Sequence, residues 1–94
     1  MSKWLVERRL LGVSKRLKSL RAEIGVIDEQ LAHLSAEADD AGIRALVSDN
    51  PEAGPESRHA GAHADAMRKQ RAHVVATIAE LEVKQDQLLD QLSG

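Results

Sequence analysis

The stretch that decides the fold is residues 10–45, LLGVSKRLKSLRAEIGVIDEQLAHLSAEADDAGIRA. Read in alternating steps of three and four residues, it places an apolar side chain at every step. Steps of this kind put those side chains on one face of an α-helix, where they form a continuous heptad seam. The sequence therefore predicts one long helix over about residues 3–47. The seam positions are Leu10, Val13, Leu17, Leu20, Ile24, Ile27, Leu31, Leu34, Ala38, Ala41 and Ala45.

A single break follows this helix. Residues 48–55, SDNPEAGP, contain two prolines, and the residue before a proline is disfavoured in the helical conformation. A second seam begins after this predicted turn and indicates a second helix over about residues 56–92. The positions of the second seam are Ala60, Ala64, Met67, Arg71, Val74, Ile78, Leu81, Gln85, Leu88 and Leu92.

Only two positions of the second seam, Arg71 and Gln85, are polar. Polar residues in a seam can fix the register between two helices. The alternative for Arg71 is that its guanidinium extends outward past Leu34 into water.

Folding the chain at the break predicts an all-α protein, a long antiparallel two-helix coiled-coil hairpin that forms a single domain over residues 1–94. In such a hairpin the residue numbers of any two facing residues add up to the same total. A total of 105 places every position of the second seam opposite a position of the first. This register brings Arg21 near Glu82 and Glu23 near Lys84, which are two pairs of opposite charge.

A two-helix hairpin buries few residues for its length, and small scaffolds are often completed by oligomerisation. Two copies could pair into a homodimer with the form of a four-helix bundle. The apolar residues outside the seams that could form a second apolar strip are Val26, Val75, Val83 and Leu89.

The predicted register leaves residues 1–10 beyond the end of the second helix. This overhang holds the only aromatic residue of the chain, Trp4, and tryptophan is enriched at binding hot spots. We therefore predict a partner-binding patch at this end; the alternative is that Trp4 and Leu5 cap the end of the bundle. The predicted patch consists of Trp4, Leu5, Val6, Arg8, Arg9 and Leu11.

Charge is distributed unevenly along the chain, although the net charge is only −2. Residues 1–21 contain seven basic residues and one acidic residue, and residues 22–57 contain nine acidic residues and one basic residue. A basic amphipathic helix is typical of surfaces that bind anionic lipid, nucleic acid or an acidic protein. The acidic residues near the end of the second helix could neutralise much of this charge within the hairpin.

The predicted hinge is acidic, with Asp39, Asp40, Asp49 and Glu52 close to the turn. In topology alone, a long hairpin with an acidic hinge resembles the transcription factors of the Gre and DksA type, which insert such a hairpin into the secondary channel of RNA polymerase. The resemblance implies an alternative role as an accessory factor of RNA polymerase or the ribosome, acting through the hinge or the basic first helix. The zinc-binding cysteines of the DksA type are absent from this sequence.

Other classes of site find little support in the sequence. The chain has no cysteine, no glycine-rich phosphate loop and no credible Ser-His-Asp arrangement, so we expect neither an enzyme nor a bound cofactor. His59 and His63 have the one-turn spacing of paired metal ligands, but nothing completes the set and no metal is expected. No apolar run approaches the roughly 18 residues of a transmembrane helix, and a cytoplasmic location is the default expectation.

The sequence thus predicts a non-enzymatic protein–protein interaction module, a rigid helical hairpin that docks on a larger partner or assembles with it. Direct binding of nucleic acid is not expected, because the overall charge is not basic. Attachment to a membrane surface through the basic, Trp4-containing N-terminus is the last-ranked alternative.

Overall fold

Two α-helices make up nearly all of the chain that is described. The computed structural model describes residues 2–47 and 53–94. Helix α1 is Lys3–Val47 and helix α2 is Ala53–Ser93, and these described residues contain no β-strand. The predicted fold class, an all-α two-helix hairpin, is confirmed, whereas the pairing of two hairpins into a bundle stays a prediction.

Both helices begin with residues suited to a helix start. At α1, the Ser2 carbonyl accepts hydrogen bonds from the N–H groups of Leu5 and Val6, each 3.1 Å long. The Ser2 hydroxyl accepts a further bond from the Leu5 N–H at 3.3 Å, as expected of an N-cap. At α2, Gly54 and Pro55 lie in the first helical turn and not in the turn between helices. Proline is tolerated there because its missing N–H would have no intrahelical partner; residues 48–52 lie outside the described residues.

The heptad seams are removed from water as the sequence predicts. Every predicted seam position on either helix is buried or half-buried. Leu17 and Ala64, at 0% and 1% exposed, are the most deeply buried residues of the seam on α1 and α2. Removal of these apolar side chains from water is the main favourable contribution to folding.

The chain divides into two compact units. Unit 1 combines Met1–Ile24 with His73–Gly94, and unit 2 is Gly25–Ala72. The core of unit 1 is a cluster of branched aliphatic side chains from α1 and α2. Its buried members are Val6, Val13, Leu17 and Leu88, and Leu10, Ile78, Leu81 and Leu92 pack against them.

The core of unit 2 uses smaller residues. Its buried residues include two alanines, Ala41 and Ala64, together with the larger Ile27 and Met67. Small side chains allow two helices to approach closely. A side-chain hydrogen bond between the helices accompanies this approach, because the Ser57 hydroxyl donates to the Ala38 carbonyl at 3.3 Å.

The register between the helices differs from the predicted one by about one heptad. In unit 1, Gln85 Nε2 donates a hydrogen bond to Ser14 Oγ at 3.2 Å. In unit 2, Arg71 Nε donates to Asp28 Oδ1 at 2.6 Å. The residue numbers of each pair total 99, and not the predicted 105. Both polar seam residues therefore reach across to the other helix, and the Arg71 guanidinium does so at the edge of the seam.

In the shifted register, N-terminal residues of α1 pack against α2. Val6 is 3% exposed and belongs to the same core cluster as Leu88 and Leu92. The prediction that residues 1–10 overhang the end of α2 is therefore wrong. The physical reason is that Val6 continues the seam of α1 by one more step before Leu10, so a shift of one heptad buries an additional apolar residue.

One of the two predicted charge pairs forms. Arg21 Nη2 lies 3.6 Å from Glu82 Oε2, which confirms the first pair. Within the described part of the chain, Glu23 and Lys84 do not form an ion pair. Both side chains of the Arg21–Glu82 pair are about half exposed, so its contribution to stability is small.

Candidate functional site

The candidate functional site is the outer surface of α1 in unit 1, which we define as Trp4, Arg8, Leu11, Lys15 and Lys18. Trp4 and Leu11 are large apolar residues, yet they are 65% and 63% exposed. They are seven residues apart, which places them on the same side of α1 about two turns from each other. The outer surface therefore carries two large apolar side chains that are separate from the seam.

Helical geometry explains why these two residues are exposed. Trp4 precedes the buried Val6 by two residues, and Leu11 precedes the buried Val13 by two. A step of two residues turns the chain by about 200° around a helix of 3.6 residues per turn. Packing of Val6 and Val13 into the core therefore directs Trp4 and Leu11 away from it.

One cation lies over the exposed indole, and others follow along the same helix. Arg8 Cζ lies 5.5 Å from the centroid of the Trp4 ring, within the range of a cation–π interaction. At an exposed site this contact contributes about 0.5–1 kcal/mol and restrains the ring. Lys15 and Lys18 are exposed further along α1, and Glu7 is the only acid among residues 1–21. The outer surface thus combines apolar contact area with positive charge.

The structure divides the predicted partner-binding patch. Trp4, Arg8 and Leu11 are exposed, and Leu5 is half-buried. Val6 is a core residue, so its assignment to a contact surface is wrong. Arg9 lines a groove on the flank of the helix pair. Binding of a partner by the exposed members stays a prediction.

The predicted acidic hinge is described only in part. Asp39 and Asp40 are exposed on α1. Asp40 Oδ2 lies 3.4 Å from Arg44 Nε, one turn further along, which partly neutralises that carboxylate. Asp49 and Glu52 lie outside the described residues.

Sequence reasoning missed an exposed apolar group near the end of α1. Ile43, Leu46 and Val47 are 60%, 87% and 80% exposed. The sequence signal was their spacing: Leu46 and Val47 follow Ile43 by three and four residues, which places all three on one apolar face of the helix outside the seam. The four residues predicted outside the seams, Val26, Val75, Val83 and Leu89, are exposed as expected.

The histidines lie on the surface. His59 and His63 are exposed, and the described residues contain no group of three or more histidine, aspartate or glutamate side chains that could hold a metal ion. His33 Nε2 lies 3.0 Å from Glu37 Oε1, a contact within one exposed helical turn.

Neither described helix has the length and apolar character that a membrane crossing requires. Comparison of this chain with protein families, with curated proteins and with solved structures finds no match. The functional proposal below is therefore drawn from the chain's own geometry.

Proposed function

We propose that this protein is a non-enzymatic interaction module, a helical hairpin that docks on a larger protein, or assembles with it, through the outer surface of α1. The observation that supports this most is the exposure of Trp4 and Leu11 on the side of α1 turned away from the core. Grouped apolar residues on a surface are typical of interaction sites. The role requires no catalytic group or cofactor and suits a cytoplasmic protein.

Burial of Trp4 would supply part of the free energy of a specific contact. Trp4 is 65% exposed. At about 25 cal/mol per Å², burial of that part of an indole would contribute roughly 3 kcal/mol before ordering costs. Those costs are reduced because α1 is already formed and Arg8 already lies over the ring.

Charge defines the chemistry of the expected partner. Arg8, Lys15 and Lys18 accompany the two apolar residues on the outer surface. Spacing by two helical turns is typical of an amphipathic helix that lies in an apolar groove. The proposed partner surface is therefore an apolar groove bordered by carboxylates, on another protein or on a second copy of this chain.

A second candidate role is that of an accessory factor of RNA polymerase or the ribosome, acting through the hinge end of α1. The exposed apolar residues Ile43, Leu46 and Val47, which lie beside Asp39 and Asp40, favour it. Ile43→Ser would abolish such binding and leave the outer surface intact. If Ile43→Ser binds RNA polymerase or the ribosome as the wild type does, the exposed apolar residues at this end of α1 are not the contact.

The proposal is tested by site-specific photo-crosslinking. A photoreactive amino acid at position 4 or 11 should crosslink one protein partner, or a second copy, at a defined site. The matched control is position 26, because Val26 is also an exposed apolar residue of α1. Trp4→Ala should weaken the association measured by light scattering or calorimetry and lower the melting temperature from circular dichroism only by the small amount expected from loss of the Arg8–Trp4 contact.

The opposite pattern would remove the proposed contact surface. If Trp4→Ala lowers the melting temperature by much more than loss of the Arg8–Trp4 contact explains, while association is unchanged, Trp4 is a cap of the hairpin. Equal crosslinking from positions 4, 11 and 26 would likewise mean that contacts are not specific to the outer surface.

A further inference from the structure

In unit 1, α2 is acidic on the side turned away from the core, whereas the outer surface of α1 is basic. Residues 73–94 contain four acidic residues and one lysine, and residues 1–21 contain seven basic residues and one acidic residue. The two helices of unit 1 thus present opposite charges to their surroundings. We define the outer surface of α2 by six exposed residues: Ala76, Ala79, Glu80, Val83, Asp86 and Asp90.

Helical geometry directs the outer surface of α2 away from the core. Asp86 and Asp90 each lie two residues from Leu88, which is 4% exposed. Val83 lies two residues from Leu81, which packs against the core cluster. A step of two residues turns the chain by about 200° around a helix, and Val83 is accordingly 58% exposed. An exposed valine therefore lies among carboxylates on α2, just as exposed apolar residues lie among cations on α1.

Neither set of charges is neutralised within the part of the chain that the structure describes. Glu80, Asp86 and Asp90 form no ion pair with a described residue, and the same holds for the three cations of the outer surface of α1. The remaining acidic residue of α2 in unit 1, Glu82, lies outside the outer surface and pairs with Arg21. Both sets of charges are therefore available to another molecule.

The spacing of the charges is the same on the two outer surfaces. Arg8 and Lys18 are ten residues apart, and so are Glu80 and Asp90, which corresponds to about 15 Å along each helix. In an antiparallel pair of helices, Arg8 can therefore meet Asp90 while Lys18 meets Glu80. The residue numbers of both pairs total 98, against 99 for the contacts between α1 and α2 within the chain. The charges thus match in nearly the register that the chain already uses.

The same antiparallel arrangement brings apolar residues together. Leu11 comes within about one helical turn of Val83, and Trp4 comes opposite the last turn of α2. Ala22, which is exposed, comes opposite Ala76. Small side chains at such a position allow two helices to approach closely.

From this match we propose that the outer surface of α1 binds the outer surface of α2 of a second copy of this chain. The inference rests on the proposed function, because it names the partner of the same contact surface. In unit 1 the two outer surfaces face opposite sides, since each is turned away from the same core. One contact therefore leaves a free α1 surface on one copy and a free α2 surface on the other, so association is head-to-tail and continues to further copies.

The test is the mass of the full chain, measured by sedimentation velocity over a concentration series at low and high salt. The mass should rise past that of a dimer with concentration, and association should weaken with salt because exposed charges are screened. Val83→Ser should raise the dissociation constant about tenfold, because it removes apolar area from the contact. The control is Val26→Ser, which changes an exposed valine of unit 2 and should leave the dissociation constant unchanged.

Charge reversal distinguishes a second copy from any other partner. One double variant, Arg8→Glu with Lys18→Glu, reverses the outer surface of α1; the other, Glu80→Lys with Asp90→Lys, reverses that of α2. Each alone should lose association at least about tenfold while its circular dichroism stays helical, because like charges then meet. An equimolar mixture of the two should associate again, because every contact between unlike copies joins opposite charges.

Several outcomes would overturn the second copy as the partner. These are unchanged association of either charge-reversed variant, a mixture of folded variants that fails to associate, and a mass that stops at the dimer. A wild type that stays monomeric at every concentration would also overturn it.

The proposed function is judged separately, by crosslinking from position 4. If the wild type is monomeric but position 4 crosslinks a different protein at a defined site, only the second copy is excluded. If the wild type associates and neither Trp4→Ala nor the reversal on α1 weakens the association, the outer surface of α1 is not the contact and both proposals fail.

Discussion

The guanidinium of Arg71 and the carboxylate of Asp28 form a two-point contact between α1 and α2 in unit 2. Arg71 Nε donates to Oδ1 at 2.6 Å and Nη2 donates to Oδ2 at 3.3 Å. The side chains are 41% and 49% exposed, so the arginine leaves the seam and meets its partner at the edge. Hydrogen bonds from Arg71, with its positive charge, lower the pKa of Asp28 below the ordinary value of 3.8.

This contact predicts a dependence of stability on acid. A carboxyl group whose pKa is lower in the folded than in the unfolded protein stabilises the fold while it is ionised. The contribution of Asp28 should therefore be complete well above pH 3.8, its ordinary pKa, and should be lost as the pH falls below that value. Thermal unfolding of the wild type and Asp28→Asn should show a small difference at pH 6 that shrinks as the pH falls below 3.8. A difference that does not shrink below pH 3.8 would show that ionisation of Asp28 is not its source.

The hydrogen bond between Ser14 and Gln85 in unit 1 predicts an energetic coupling. A half-buried side-chain hydrogen bond contributes about 0.5–1.5 kcal/mol. In a double-mutant cycle, Ser14→Ala and Gln85→Ala should therefore show a coupling of about that size in urea unfolding. The control cycle pairs Ser14→Ala with Gln87→Ala, for which we expect no coupling. A coupling near zero for Ser14 and Gln85 would contradict the register described here.

The buried position of Val6 predicts a loss of stability on truncation. Val6→Ala removes two carbon atoms from the core of unit 1 and should lower the free energy of unfolding by about 1–2 kcal/mol. Val26→Ala is the control, since Val26 is exposed and its truncation should change the free energy by less than about 0.5 kcal/mol. Equal effects of the two substitutions would mean that the N-terminal residues of α1 do not pack on α2.

Two glycines of α1 should differ in their response to alanine. At Gly25 an added Cβ atom meets nothing within 4 Å, so Gly25→Ala should stabilise the protein by about 0.5–1 kcal/mol. At Gly42 the added atom would lie 3.3 Å from Ser57 Oγ, which itself donates to the Ala38 carbonyl. Gly42→Ala should therefore gain less, and a larger gain at Gly42 would contradict the close helix approach in unit 2. Urea unfolding of both variants provides the comparison.

The helices and their buried faces were predictable from the sequence because they depend on local periodicity. Steps of three and four residues identify Leu17, Ala41 and Met67 as inward positions without any knowledge of the partner helix. The same periodicity does not reveal where along α1 the second helix packs. A shift by one heptad again places seam residues opposite seam residues, so apolar matching alone fits both registers.

Polar contacts between α1 and α2 distinguish the predicted register from the observed one. The two charge pairs predicted from the sequence were not the contacts that do so. Arg21 and Glu82 have numbers that total 103, between the predicted 105 and the observed 99, so their flexible side chains can meet in either register. The pairs with a total of 99 each involve a polar seam residue, Gln85 or Arg71. The sequence identified these two residues as unusual but did not identify their partners.

The candidate site was predictable only in part for the same reason. Trp4 and Leu11 stand out by residue type and by their position off the seam. Val6 was assigned to the same patch because the assumed register left it uncovered.

The position of Trp4 also determines what ultraviolet spectroscopy can detect in this protein. Trp4 is the only aromatic residue of the chain, and its ring lies outside the core under the guanidinium of Arg8. Its fluorescence should therefore change little when the core unfolds and should respond when something covers the N-terminal part of α1. The fluorescence of Trp4 is therefore a natural probe of binding to a partner. Unfolding is better followed by the far-ultraviolet circular dichroism of the two helices.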